Sequence, residues 1–128
     1  MSSEFLGVGW NFPVEVDEKG QIKMARYEES IQQAIWMIVG TAKGEQVMRQ
    51  DFGCGIHDLV FAPNNATTAG QAIREVRDAL VLWEPRIDVL DVEAFSDPNQ
   101  PALMLIEIRY LVRKTNNRFN LVYPFYLE

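Results

Sequence analysis

The chain has 128 residues, of which 48% are hydrophobic and 23% are charged, and its formal net charge is −6. This size and composition are typical of a single globular domain over residues 1–128, and the negative charge with scattered Lys and Arg excludes a surface built to bind nucleic acid. No apolar run is long enough to span a bilayer, and residues 1–9 lack the pattern of a signal peptide. A single cysteine cannot form an internal disulfide. We therefore expect a protein that is made in the cytoplasm.

The first third of the sequence predicts an edge strand, a turn and a long helix. Alternation over Phe12–Val16 together with Pro13 is typical of a short edge strand, and Asp17–Gly20 predicts the turn that follows. Apolar residues at helical spacing predict a core-facing helix from about Tyr27 to Thr41. The residues of this stripe are Ile31, Ala34, Ile35, Ile38 and Val39.

An irregular stretch separates this helix from a second one. Glu45–Arg49 can form a short strand, Gly53–Gly55 predicts a turn, and Ile56–Phe61 predicts one apolar helical turn. Thr68 and Gln71 have the spacing of a capping box at the start of the second helix. The predicted buried stripe of that helix consists of Ala69, Ala72, Ile73, Val76, Ala79, Leu80 and Trp83.

The second helix ends in the sequence Trp83-Glu84-Pro85-Arg86-Ile87. Pro85 has no backbone N–H and disfavours helical geometry at the residue before it, so the helix must stop near Glu84. We expect Trp83 to anchor the bend to the core, with Glu84 and Arg86 held on either side of it. This pattern favours a docking point for a partner over a reaction centre.

The remainder of the chain predicts strands. Ile87–Phe95 predicts one strand with a bulge near Val89-Leu90, and Ser96–Pro101 predicts a loop. A second strand begins at Met104, where alternate positions are apolar: Ile106, Ile108, Tyr110 and Val112.

A hairpin turn at Thr115–Arg118 leads to the last strand, Phe119–Leu127. The predicted fold class is therefore α+β, an antiparallel β-meander with two main helices packed on one face.

The last strand is a second candidate docking site. Pro124 argues against a strand that is paired along both sides, and an apolar strand edge is an aggregation hazard unless something covers it. We therefore expect a partner to add a strand here. The predicted contact residues are Leu121, Val122, Tyr123, Phe125, Tyr126 and Leu127.

No pattern predicts an enzyme, a metal site or a cofactor. Cys54 and His57 are close in sequence, but a nucleophile needs a base within reach and a third group to orient that base, and Gly-Cys-Gly more simply indicates packing in a tight turn. A zinc site usually takes three or four ligands, whereas the chain offers one Cys and one His. Gly7 and Gly9 lack the third glycine of a dinucleotide-binding loop.

Six short motifs, in this order, resemble one known family. They are Gly7–Pro13, Gly44–Arg49, Phe52–Gly55, Pro63-Asn64, Trp83–Ile87 and Asn120–Leu127. Together they are similar to the baseplate-wedge, sheath-initiator family of contractile phage tails, type VI secretion baseplates and extracellular contractile injection systems. Gln46 and Gln50 depart from the family pattern, in which arginine and proline are common at these two positions. The resemblance therefore does not imply which contacts the irregular loop makes.

The resemblance implies a structural baseplate subunit without catalytic activity, carried in a virion-like or injection-system particle. Glu84, Pro85 and Arg86 would contact the wedge subunits of the core bundle, and the last strand would accept strands from the sheath protein of the first ring. Tube or hub proteins would be further neighbours, and each baseplate would hold six copies. A small cytoplasmic adaptor or anti-adaptor with the same fold is the alternative.

Two substitution outcomes follow from these expectations. We expect Arg86→Ala to abolish binding of the wedge subunits while the isolated fold survives. We also expect truncation after Phe119 to give baseplates without sheath.

Overall fold

The computed structural model describes residues 18–44 and 51–128. Two α-helices, α1 (Glu18–Gly40) and α2 (Ala66–Trp83), are separated by a short 3₁₀ helix over Gly55–Leu59. Three strands follow: β1 (Ile87–Asp97), β2 (Gln100–Val112) and β3 (Asn117–Tyr126). The strands form an antiparallel sheet in the order β1-β2-β3, which confirms the predicted α+β meander. The strands predicted at Phe12–Val16 and Glu45–Arg49 lie outside the described residues.

Helix α1 begins nine residues earlier than predicted, at Glu18 instead of Tyr27. The predicted turn is wrong at positions 18–20, because Gly20 lies within the first turn of the helix. The residues that follow Gly20 are mostly good helix formers, and a single exposed glycine costs a helix only about 1 kcal/mol. The predicted stripe is confirmed at Ile31, Ile35, Ile38 and Val39, which are all buried.

Helix α2 begins at a different cap from the one predicted. Its N-cap is Asn65, whose side chain accepts a hydrogen bond of 3.0 Å from the backbone N–H of Thr68. Thr68 therefore lies inside the first turn and is buried, so the predicted capping box is wrong. The end of the helix is as predicted, since Glu84 leaves helical geometry at φ −129° and ψ 79°.

The sheet is longer and more regular than predicted. The register between β1 and β2 shifts between Val89 and Asp91, which confirms a bulge at this point. The predicted loop over Ser96–Pro101 is wrong, because β1 continues to Asp97 and β2 resumes at Gln100. The carboxylate of Asp97 accepts a 2.9 Å hydrogen bond from the backbone N–H of Asn99, and this local bond makes a two-residue connection feasible.

One core lies between the helices and one face of the sheet. The inward positions of β2 are Met104, Ile106, Ile108, Tyr110 and Val112, all of which are buried as the alternation predicts. Helix α2 packs over β1, and the ring of Trp36 from α1 meets Tyr123 of β3 edge-on at 4.9 Å. The helix layer thus covers one face of the sheet and leaves the other face exposed.

Candidate docking surfaces

The bend between α2 and β1 is fixed by packing on one side and by charge on the other. The half-buried ring of Trp83 packs against the core and meets Phe52 at 5.0 Å. Pro85 is exposed. Because the helix must end before a proline and Trp83 holds its last turn, the positions of Glu84 and Arg86 are set by the backbone.

Glu84 and Arg86 bond to each other, which the sequence did not indicate. The Arg86 guanidinium donates from Nε to Glu84 Oε1 and from Nη2 to Glu84 Oε2, both at 2.7 Å. Glu84 is 2% exposed, so the expectation that it presents a charge to a partner needs correction. The Arg86 side chain remains 36% exposed, and the bonds to Glu84 raise the pKa of its guanidinium.

Tyr27 and Lys114 complete this surface, and sequence reasoning missed both. The ring of Tyr27 lies 5.0 Å from Lys114 Nζ and 5.9 Å from Arg86 Cζ. Tyr27 comes from α1, Lys114 from the β2–β3 turn and Arg86 from the bend before β1, so no spacing along the chain links them. We call Tyr27, Pro85, Arg86 and Lys114 the bend surface.

A second buried acid lies beneath the bend surface. Glu28 Oε2 accepts hydrogen bonds from Thr115 Oγ1 at 2.6 Å and from Asn117 Nδ2 at 2.7 Å. Burial and the nearby charges of Glu28 and Glu84 raise the pKa of Tyr110, which keeps that phenol neutral. Both buried carboxylates are therefore committed to bonds within the fold.

The second candidate surface is the outer edge of β3. Leu127 N donates to Ala102 O at 2.7 Å, which makes these directly opposed residues a hydrogen-bonded pair. Because such pairs alternate along an antiparallel ladder, Tyr123 and Phe125 also point their backbone groups at β2. The backbone groups that point away from β2 belong to Arg118, Asn120, Val122, Pro124 and Tyr126.

Pro124 fits this arrangement, since the N–H that proline lacks would have pointed away from the ladder. The outer edge therefore offers N–H donors at Arg118, Asn120 and Val122 before the gap at Pro124. Within the part of the chain that the structure describes, no strand pairs with this edge.

Only some of the six residues predicted to meet a partner have side chains that a partner could reach. Leu121, Phe125 and Leu127 are buried in the core, so their side chains are not available and the prediction is corrected on this point. Val122 and Tyr126, at 47% and 60% exposed, face outward, and Tyr123 packs against Trp36. A partner at this edge would meet the backbone and the outward side chains.

The two edges of the sheet differ in charge. Strand β1 carries a bulge and four acidic residues, Asp88, Asp91, Glu93 and Asp97. Strand β3 carries one charged residue, Arg118. Bulges and charges are the common means of protecting an edge from strand addition, so β3 is the less protected edge.

Cys54 and His57 are not arranged as a nucleophile and its base. The Cys54 thiol points to the carbonyl oxygen of Glu75 at 3.5 Å, and His57 Nε2 donates to the carbonyl of Val39 at 2.8 Å. Burial raises the pKa of Cys54 to about 11, so the thiol stays protonated. Gly53 has a φ of +123°, which allows Cys54 N to bond Thr41 O at 2.8 Å, and Cys54 therefore has a packing role.

The described residues bring no three His, Cys, Asp or Glu side chains together in a geometry that could hold a metal ion. Neither described helix has both the length and the apolar character needed to cross a bilayer.

Comparison with known proteins identifies the family. The family model described as baseplate wedge protein gp25 matches residues 25–117, which include most of α1 and all of α2, β1 and β2. This chain belongs to the gp25 baseplate wedge family. The gp25 protein of Enterobacteria phage T4 is 32% identical over 83 residues, which are 65% of this chain and 62% of the T4 protein.

Three solved structures share the fold of this chain. A protein of Geobacter sulfurreducens, described as a candidate tail lysozyme, is 57% identical with a TM-score of 0.74, over 80% of this chain and 92% of that one. A chain of the type VI secretion baseplate complex is 20% identical with a TM-score of 0.65, over 83% and 98% of the two chains. A chain of the anti-feeding prophage baseplate is 18% identical with a TM-score of 0.55, over 78% and 69%. The last two likenesses show the gp25 fold alone.

Proposed function

We propose that this chain is a structural subunit of the baseplate of a phage tail or another contractile injection system. In this proposal the bend surface binds the wedge subunits, and sheath strands add to the outer edge of β3. The chain then links the wedge to the first sheath ring and acts as the template for sheath assembly. Family membership and the two surfaces support this reading.

The observation that carries the proposal is the open outer edge of β3, which is less protected than the edge of β1. Arg118, Asn120 and Val122 each direct an N–H and a C=O outward, at the two-residue spacing that an added strand needs. Each new main-chain bond contributes roughly 1 kcal/mol net, and the exposed Val122 and Tyr126 side chains add apolar contact. The acidic β1 edge offers no comparable site.

The bend surface supports the wedge contact. Two of the five N–H groups of Arg86 are bound to Glu84, which leaves three for a partner. The carboxylate of Glu84 is buried, so Glu84 would not meet the partner directly. It would act within the contact by fixing the orientation of the Arg86 guanidinium plane.

We propose further that the chain is not a catalyst. Glycoside hydrolysis requires two carboxyl groups across the substrate, one of them free to donate a proton. The buried acids Glu28 and Glu84 are both held by hydrogen bonds within the fold. A peptidoglycan zymogram on the purified chain should show no clearing, and clearing that copurifies with the folded chain would refute this part of the proposal.

A proline at position 122 tests strand addition. Val122→Pro removes one outward N–H, as Pro124 already does two positions further along, whereas Val122→Ala shortens the side chain and keeps the donor. We expect baseplates with the proline variant to lack sheath and those with the alanine variant to assemble it. Electron microscopy of the assembled particles would show the difference.

Truncation after Phe119, the change expected to remove the sheath, is a poorer test because it deletes the core residues Leu121 and Phe125. Thermal denaturation of the isolated proline variant would establish that it is folded, with Asn120→Pro as a second variant at the same edge. Sheath of normal length on particles that carry either folded proline variant would refute the proposal.

A further inference from the structure

The bend surface contains a second positive charge besides that of Arg86. Lys114 is exposed on the β2–β3 turn, with its ammonium group 5.0 Å from the Tyr27 ring. We propose that Lys114 and Tyr27 are specificity residues of the wedge contact, and that the surface takes an acidic side chain of the wedge subunit. This inference rests on the proposed function.

The charges around the bend explain why Lys114 matters. The charge of Arg86 is balanced by that of the buried Glu84, so Arg86 alone gives the surface little net attraction for an acid. The neighbouring Arg113 is also paired, with Asp88 at 2.7 Å. Among the described residues, none places a carboxylate within 4 Å of Lys114. Lys114 is therefore the cation of the bend surface that has no ion-pair partner among the described residues.

Glu28 is the acid next to Tyr27 in sequence, and its buried carboxylate forms no ion pair with Lys114. It is 8% exposed, and its carboxylate accepts the bonds from Thr115 and Asn117 beneath the turn. The exposed groups that a partner meets here are Pro85, the guanidinium edge and the ammonium group. On a chain with a net charge of −6, this is a local site for negative charge.

Tyr27 gives the site its geometry. Its ring lies within 6 Å of both cationic groups, a distance at which a ring face attracts cations by a modest amount. The ring therefore keeps the lysine near the three N–H groups of Arg86 that form no bond to Glu84 or to another described residue. An approaching carboxylate could accept from the guanidinium and meet the ammonium charge together.

The test measures the affinity of the full chain for the wedge subunits encoded with it, by calorimetry at two salt concentrations. We expect Lys114→Gln and Tyr27→Leu each to weaken binding about fivefold, and Lys114→Arg to weaken it less than twofold. The salt dependence of binding should fall in Lys114→Gln. Lys43→Gln is the matched control, because Lys43 is an exposed lysine beyond the end of α1, and it should bind like the unmodified chain.

The outcomes separate this inference from the proposed function. If Lys114→Gln and Tyr27→Leu bind normally while the neutral pair Glu84→Gln with Arg86→Gln binds poorly, the inference is overturned and the wedge contact stands. An equal effect of Lys43→Gln and Lys114→Gln would also overturn it, since net charge alone would then be responsible. Thermal denaturation would establish that each variant is folded. If all of these folded variants bind normally, the wedge contact is overturned as well.

Discussion

Glu84 and Arg86 act as one unit because the charge of Glu84, buried in its position, is stabilised by the guanidinium of Arg86. A carboxylate in the interior loses several kcal/mol of hydration, which here is offset by two side-chain bonds and one from the Arg86 backbone N–H. Pro85 between them sets the backbone that allows both contacts. The motif is therefore a structural element of the bend as well as a surface for partners.

This pairing changes the expected result of Arg86→Ala. Removal of the guanidinium leaves Glu84 buried and unpaired, so we expect the free energy of unfolding to fall by about 2 kcal/mol, less than for a fully buried pair because Arg86 is partly exposed. We still expect the isolated fold to survive this loss, with reduced stability. The double change Glu84→Gln with Arg86→Gln should cost less, since two neutral amides replace the charges. Urea denaturation of the three chains measures both effects, and equal stability of Arg86→Ala and the parent would contradict the account.

The sequence predicts the bend but not the burial of Glu84. Pro85 forces the helix to end, and this follows from local geometry alone. The burial of Glu84 comes from the packed fold, in which its carboxylate lies near enough to raise the pKa of Tyr110, 26 residues further along the chain. The same reason explains why Lys114 escaped detection, since only the folded sheet brings it to Tyr27.

At the level of helices and strands, periodicity predicted the existence of each element better than its ends. The buried stripe of α2 and the alternation of β2 were visible because burial imposes a period on the sequence. Several residues near a helix start can serve as its cap, and Thr68 matched a known pattern while Asn65 formed the bond. The β1–β2 connection was predicted too long, since the two prolines and Asn99 read as loop residues.

The cap of α2 gives a prediction about stability. Asn65→Ala removes the acceptor for the backbone N–H of Thr68, and we expect a loss of about 1 kcal/mol in the free energy of unfolding. Thr67→Ala is the matched control, because Thr67 is exposed in the same turn and should change stability little. A chain with Asn65→Ala as stable as the control would show that Asn65 is not the effective cap.

For the molecule as a whole, the order of the strands allows two partners to bind together. The bend leads into β1, β2 lies in the middle, and the open edge belongs to β3. Because the bend surface includes Lys114 on the β2–β3 turn, it lies at the end of the sheet where β3 begins. We expect a wedge subunit there to leave accessible the part of the β3 edge that runs away from this turn. A single core connects the two surfaces, so the chain can hold them at a fixed separation.

The central claim is that the outer edge of β3 pairs with a strand from another protein. A cryo-EM map of the assembled particle, at a resolution that shows the main chain, tests it most directly. The account predicts a fourth strand beside β3, contributed by the sheath protein, with main-chain bonds to Asn120 and Val122. An edge left open to solvent in the particle, or one occupied by this chain's own residues, would contradict it.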